Sequence, residues 1–418
     1  MIYLENRKPI HRIFISIQGR AALKTKAYLE EVQILRGLAF IGVAFQHTLG
    51  PFMNQQGLGK SDAILLTILF NLAKFAVPLF VFMTGMVIFY NYYDTLEYPK
   101  FIVRRTKEVI IPYLVWSLIY VFHGVPFPQD FLLFIKDVSQ KILTGSTYYH
   151  LWFLVMIYQF YIVYPCFRSV AKQLEPRLRS EKSLILLMVS LGAVYLGLTW
   201  LSSSVIPRLD NLGGMPQFWS FFSEYRDRTF IFWFFYFVLG GLAGLTVNQW
   251  RNWVEKTFLA NSLLCLLLFT RVTYEMWMQS YPTPAGYVVN FNVSTSLKPS
   301  MALFSISAII FLYGLTLRWT QKSNRVMEYL DRLGKHSFGA YLVHALTLEY
   351  TARVVYKFMQ PLAITPKIVI ILAGCVICAY YFSVLISQTP LAAYVVGSGA
   401  KRKNSSSGPN VPRSTPSM

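Results

Sequence analysis

The sequence predicts an all-α, polytopic integral membrane protein of about ten transmembrane helices. Two observations carry that expectation. Of the 418 residues, 55% are hydrophobic and only 14% are charged, and the apolar residues fall in blocks near or above the length that crosses a bilayer. Lys and Arg gather between those blocks. A formal net charge of +20 points to nucleic acid only when it builds a basic face or a known binding module. Here it reads as topology, and no nucleic-acid partner is expected.

Runs of roughly twenty apolar residues bounded by charges, Pro or Gly give expected spans at 32–52, 63–90, 108–124, 149–168 and 183–205, then 229–247, 256–278, 299–318, 337–357 and 367–388. The third is short and ends before His123-Gly124-Val125-Pro126. Segment 130–145 is apolar on one face, too short and too charged to span, and is expected to lie along the interface. An even count of spans puts both ends on one side. The N-terminus, loops 91–107, 168–182, 248–256 and 318–335, and the C-terminal tail hold 26 of the 39 Lys and Arg, against nine in the opposite loops, so both termini are expected in the cytoplasm. The chain thus divides into a cytoplasmic segment 1–31, a transmembrane domain 32–390 and a basic, Pro- and Ser-rich tail 391–418, expected to be disordered and held near anionic lipid. Some thirty mostly polar residues precede the first apolar run, which is read as an uncleaved signal anchor.

The four cysteines, Cys166, Cys265, Cys375 and Cys378, all lie in apolar segments and are expected to be free, buried thiols, with no His nearby to complete a metal set. The stretch Gly240-Gly241-Leu242-Ala243-Gly244 offers a small-residue face for helix contact. Nothing resembles a P-loop, a dinucleotide fingerprint, a nucleophile elbow or a zinc-binding helix.

Ionisable residues inside spans are costly, so each is a candidate site. Arg36 and His47 in the first span are eleven residues apart, which returns almost to the same helix face about 16 Å further on, so the two could line one groove. A guanidinium can hold a phosphate and an imidazole can accept a proton near neutral pH; the bland alternative is a snorkelling Arg36 and a packing His47. Ser337, Tyr341 and His344, spaced by four and three, share a face of the ninth span, suited either to a site or to interhelical hydrogen bonds, with Glu349 a turn beyond. Arg271 and Glu275, four apart, can neutralise each other, whereas Lys74 in the second span has no obvious partner in its own helix. For His11, His123, His150 and His336, at or beyond span ends, exposure is the simplest expectation.

With its Arg, ten residues, then His in the first span, the sequence resembles the acyltransferase 3 family of bacterial membrane O-acyltransferases. The likeness continues through Val77-Pro78-Leu79-Phe80-Val81-Phe82-Met83-Thr84-Gly85, where Thr84 stands for the family's usual Ser. It extends through Phe101-Ile102-Val103-Arg104-Arg105-Thr106-Lys107, similar to an Arg-x-x-Arg element with Lys107 in its last position, through His150-Leu151-Trp152-Phe153-Leu154, and through Ser337-Phe338-Gly339-Ala340-Tyr341-Leu342-Val343-His344.

The resemblance spans roughly residues 30–390 and implies an enzyme of the bacterial cytoplasmic membrane. It would move an acyl group, acetyl above others, from cytoplasmic acyl-CoA to a hydroxyl of an extracytoplasmic or lipid-linked glycan. His47 is then expected to be the general base or, in a relay, the acylated group. Arg36, Arg104, Arg105 and Lys107 are expected on the donor phosphates, and His344, Tyr341, Ser337, Trp152 and His150 at or near the acceptor. Trp152 with Tyr158 and Tyr161 suits sugar stacking and an interfacial belt equally. The thioester is already activated, so no metal and no bound cofactor is expected, and the acceptor would be met mainly by loops 206–228 and 279–298. A transporter or flippase for an anionic glycan or lipid is the alternative reading of the same residues, with a catalytically dead scaffold a third.

Overall fold

The computed structural model describes residues 28–397 apart from 54, 56, 124–129, 177–180, 212–218, 220–222 and 321–324. The expected termini, His11, part of loop 206–228 and most of the tail therefore lie outside the described residues. What is described is a bundle of helices with one short hairpin, Tyr281–Thr283 paired antiparallel with Gly286–Val288.

The first helix, α1, runs Glu30–Met53 with Glu30 and Glu31 in its first turn, where carboxylates favour the helix N-terminus. Helix α2, Lys60–Ala73, and helix α3, Ala76–Tyr92, make one apolar run broken at Lys74. Pro78 explains the break: lacking an N–H, it leaves the Lys74 carbonyl without its helical partner. Helix α4, Tyr98–Arg105, passes through a π turn, Thr106–Ile110, into α5, Ile111–Phe122, which has Pro112 in its first turn. Helix α6, Phe131–Thr144, is capped by Asp130, whose Oδ1 accepts from the N–H groups of Leu132 and Leu133 at 3.0 Å. It turns Leu132, Leu133 and Leu143 outward, the surface an interfacial helix offers to lipid.

Helices α7, Trp152–Leu174, and α8, Glu181–Trp200, follow; α8 continues by a π turn into α9, Ile206–Asn211. Beyond a pair of 3-10 turns come α10, Phe234–Leu245, α11, Val247–Met278, α12, Pro299–Thr320, α13, Arg325–Phe358, and α14, Ile364–Ser387.

Among the described residues seven helices are long and apolar enough to cross a membrane: Glu30–Met53, Lys60–Tyr92, Trp152–Leu174, Lys182–Leu209, Val247–Met278, Pro299–Thr320 and Ile364–Ser387. The other three expected spans are helical but fall short on different grounds. The third has only the 12-residue helix Ile111–Phe122 beyond the charged π turn, the sixth is a shorter apolar helix, Phe230–Leu245, and the ninth carries Glu349 and Arg353 into a cavity, where charge is tolerated. On α11, Leu259, Leu263, Leu266 and Leu267 point outward, which is stable only against hydrocarbon. The chain is an all-α, multi-pass membrane protein.

The small-residue face is a helix contact: a Cβ on Gly240 would lie 1.9 Å from the Phe82 carbonyl oxygen, and one on Gly85 2.1 Å from that of Phe237, so α3 and α10 touch backbone to backbone. Arg271 and Glu275 do pair, at 3.0 Å, and Lys298 joins Glu275 at 2.7 Å.

Two expectations are corrected. The cysteines are free, but only Cys375 is buried, while Cys166 and Cys378 are exposed; an apolar thiol at the lipid surface needs no protein packing. Residues 391–397, assigned to the tail, are folded instead. Ala392–Val395 forms the short helix α15, and Trp116 Nε1 donates to the Val395 carbonyl at 2.8 Å.

Candidate active site

Helices α1 and α13 set the geometry. Gly37 on α1 and Gly334 on α13 allow their backbones to meet: a Cβ on Gly334 would lie 1.8 Å from the Gln33 carbonyl oxygen, and one on Gly37 2.5 Å from that of Leu330. His47 lies ten residues beyond Gly37, and His344 ten beyond Gly334. The two rings meet with centroids 5.4 Å apart, so the helices run parallel and in step.

Around this pair the chain gathers a third histidine. His150 is 2% exposed, its ring centroid 4.6 Å from that of His344; the expectation of an exposed His150 at a span end is overturned. The turn before α7 folds inward and is held there by Tyr341, whose Oη donates to the His150 carbonyl. Fully buried His344 pairs its Nδ1 with the carbonyl of Tyr341 at 2.5 Å. A carbonyl only accepts, so the proton sits on Nδ1 and Nε2 carries the lone pair. Among the described residues that Nε2 has no hydrogen-bond partner.

His47, half-buried, lies on the wall of a cavity of about 1040 Å³. The same cavity is lined by Gln46, Lys74, Tyr148, Tyr149, Glu349 and Arg353, among others. The Tyr149 ring lies 4.6 Å from His47, and Tyr148 stacks on Tyr120 at 4.2 Å. Loop 279–298 contributes Phe291, Asn292, Ser294 and Thr295 to the wall.

Arg36 does not line this cavity, whose α1 residues begin at Gln46. The single groove expected for Arg36 and His47 is therefore not the cavity that holds His47. Arg36 sits instead in the neighbourhood of Arg105 and Tyr161. Arg105 is boxed by the rings of Tyr92, Phe101 and Tyr161, with centroids 5.4–5.7 Å from its guanidinium carbon. Arg104 and Lys107, the matching ends of the Arg-x-x-Arg-like element, are both exposed; the inward cation is Arg105. Glu108 takes a share of both arginines, 2.7 Å from Arg104 and 2.8 Å from Arg105. Outside the membrane-spanning segments, hydrogen bonding to Asp331 holds the Lys335 ammonium above its usual range, so it stays charged beside α1.

Trp152 and Ser337 stand apart from the cavity. Trp152 packs against Trp233 at 5.9 Å, and Ser337 donates to the carbonyl of Gly334 in its own helix at 2.8 Å. Tyr341 touches both His150 and His344. The residues the sequence did not single out are Lys74's cavity position, Tyr148 and Tyr149, and Glu108. The Tyr148-Tyr149-His150 triplet, separated from Trp152 by Leu151 alone at the start of an apolar run, is the signal in the sequence for the tyrosines.

The family model for acyltransferase 3, described as an acyltransferase domain, matches residues 29–384. The chain belongs to that family. Two curated relatives are each 22% identical to it. One is the Bacillus subtilis "Putative membrane-bound acyltransferase YfiQ", aligned over 83% of this chain and 88% of the relative. The other is the Staphylococcus epidermidis "Probable poly-beta-1,6-N-acetyl-D-glucosamine export protein", aligned over 76% of this chain and 81% of the relative. No solved structure matches the chain. Family membership makes it a membrane acyltransferase, and the aligned region contains every described residue of the histidine cluster and of the basic cluster at Arg36.

Proposed function

We propose that the protein transfers an acyl group, acetyl above others, from cytoplasmic acyl-CoA to a hydroxyl of an extracytoplasmic or lipid-linked glycan across a bacterial cytoplasmic membrane, with ten spans and both termini in the cytoplasm. The observation that carries this reading is His47 on the wall of a cavity walled also by tyrosines, backed by His344 with a bare Nε2. A sugar ring is stacked by aromatic faces, and its hydroxyl is a poor nucleophile until a positioned base removes the proton.

In the direct mechanism the hydroxyl proton passes to the His47 imidazole as the oxygen attacks the thioester carbonyl. The tetrahedral intermediate collapses, the C–S bond breaks, and the imidazolium returns its proton to the leaving thiolate. The products are the ester and free CoA. Positioned base catalysis of this kind supplies about 10²–10⁴-fold. Arg36 and Arg105, with Arg104 and Lys107 at the surface, would hold the CoA phosphates, Arg105 by the bidentate fork that suits them. His150 and Tyr341 would support the cluster. No bound cofactor or metal enters this scheme.

The name of the Staphylococcus epidermidis relative favours a second reading, export of a glycan. The two separate in one assay. Purified protein in liposomes is given radiolabelled acetyl-CoA and oligosaccharide acceptors. Transfer of label, lost in His47→Ala while binding of acyl-CoA persists, supports the enzyme; movement of the saccharide with no transfer of label supports export and sinks the proposal.

A further inference from the structure

Two of the Lys, Arg, Asp and Glu side chains among the described residues are buried, Glu31 and Lys74. Glu31 is explained by Arg251, 2.7 Å away. Lys74 is not explained in this way. It is 8% exposed, lines the cavity that holds His47, and interacts electrostatically with that imidazole. Its ammonium lies 4.8 Å from the centroid of the Phe70 ring, a contact that offsets only part of the loss of water.

The groups near it are engaged elsewhere. Among the described residues Glu349 is the one carboxylate on the cavity wall; it is bonded to His123 at 3.1 Å and to Arg353. Asn71, a turn before Lys74, receives the Ser294 hydroxyl at 2.8 Å and gives its amide N–H to Thr67 at 3.0 Å. Lys357, exposed and four residues beyond Arg353, adds a further positive charge to the wall. A buried ammonium is stable when an anion completes it, and Lys74, at the break between α2 and α3, lines the space where that anion would sit.

We propose that Lys74 is the anion-binding group of the cavity, and that what is bound beside His47 carries a carboxylate or phosphate, borne either by the sugar acceptor or by the acyl group in transfer. The inference rests on the cavity being the transfer site, and Lys357 and Arg353 would draw the anion to it.

Direct binding tests it without relying on turnover. Full-length protein in nanodiscs of zwitterionic lipid is titrated calorimetrically with methyl glucuronide and methyl glucoside, with methyl glucoside 6-phosphate, and with succinyl-pantetheine and acetyl-pantetheine. At least one anionic probe is expected to bind tenfold or more tightly than its neutral counterpart. That preference disappears in Lys74→Met and survives in Lys74→Arg, with thermal unfolding of both variants confirming that they fold. Preference within the glucoside set assigns the anion to the acceptor, and within the pantetheine set to the acyl group. Equal binding of charged and neutral probes, no binding of any probe, or a preference that Lys74→Met retains overturns the proposal. Radiolabelled transfer measured on the same samples judges the enzyme reading separately: charge preference without any transfer leaves the anion site standing and removes that reading.

Discussion

The approach of Gly334 to Gln33 gives a quantitative handle on the histidine cluster. In Gly334→Ala the new methyl carbon would lie 1.8 Å from a backbone carbonyl oxygen, where real Cβ atoms stay beyond 3.0 Å. The obstacle is main chain in the first turn of α1, so no side-chain rotation relieves it, and α13 must back away by at least about 1.2 Å, the difference between those two distances. Overpacking of this kind costs about 1–3 kcal/mol. The same displacement carried to His344 loosens its contact with His47, and a misplacement of ~1 Å at reacting groups lowers rate by about 10²-fold. The expected result is a lower unfolding temperature in detergent and about a hundredfold loss of acyl transfer from labelled acetyl-CoA. Gly37→Ala, whose methyl would meet the Leu330 carbonyl at 2.5 Å, should show a smaller loss, and Gly197→Ala, with nothing within 4 Å, none. Wild-type transfer in Gly334→Ala, or the reverse order among the three variants, would show that the close approach does not set the histidine spacing.

Glu108→Gln removes the carboxylate that shares Arg104 and Arg105, so the KM for acyl-CoA should fall severalfold with kcat unchanged; a raised KM would place the arginines outside the donor site. Tyr149→Ala should raise the KM for the saccharide, because the ring it removes stands 4.6 Å from His47, whereas Trp152→Ala should lower stability and leave that KM alone, which steady-state kinetics with varied acceptor will decide. Glu31→Gln removes the charge that Arg251, itself 35% exposed, pairs with, while the amide oxygen can still accept from Tyr313 Oη; breaking a fully buried pair costs about 3–5 kcal/mol, and partial solvation of Arg251 brings the expected loss to about 2 kcal/mol. Unfolding curves that superimpose on wild type would contradict it.

What could be read in the chain was local. The first helix, Arg36 and His47 on it, the Gly240–Gly244 contact, and the Arg271–Glu275 pair all depend on spacings within one turn or a few, where helical geometry is dictated by covalent structure. The second span reads as one run, 63–90, and its break at Lys74 is not anticipated, although Pro78 four residues on removes the bond. The inward turn of His150 was hidden because it depends on Tyr341, 191 residues away, and the Glu31–Arg251 pair joins residues 220 apart. Exposure misled for Cys166 and Cys378 because lipid reverses the usual link between apolar and buried. The family resemblance supplied His344 as a candidate, but its ring's contact with His47 follows from two glycines on different helices, and no single segment contains that information.

The pairing of α1 with α13 also orders events in time. His47 leaves the ribosome 297 residues before His344, so at about 5–20 residues per second the first helix waits roughly 15–60 s for its partner. During that interval α1 can rest against α2 and α3, but the histidine pair does not exist. A chain cut short before Gly334 inserts most of its helices and still lacks the second imidazole. On the proposed reading of His47 and His344, competence to react would then wait on near-completion of synthesis.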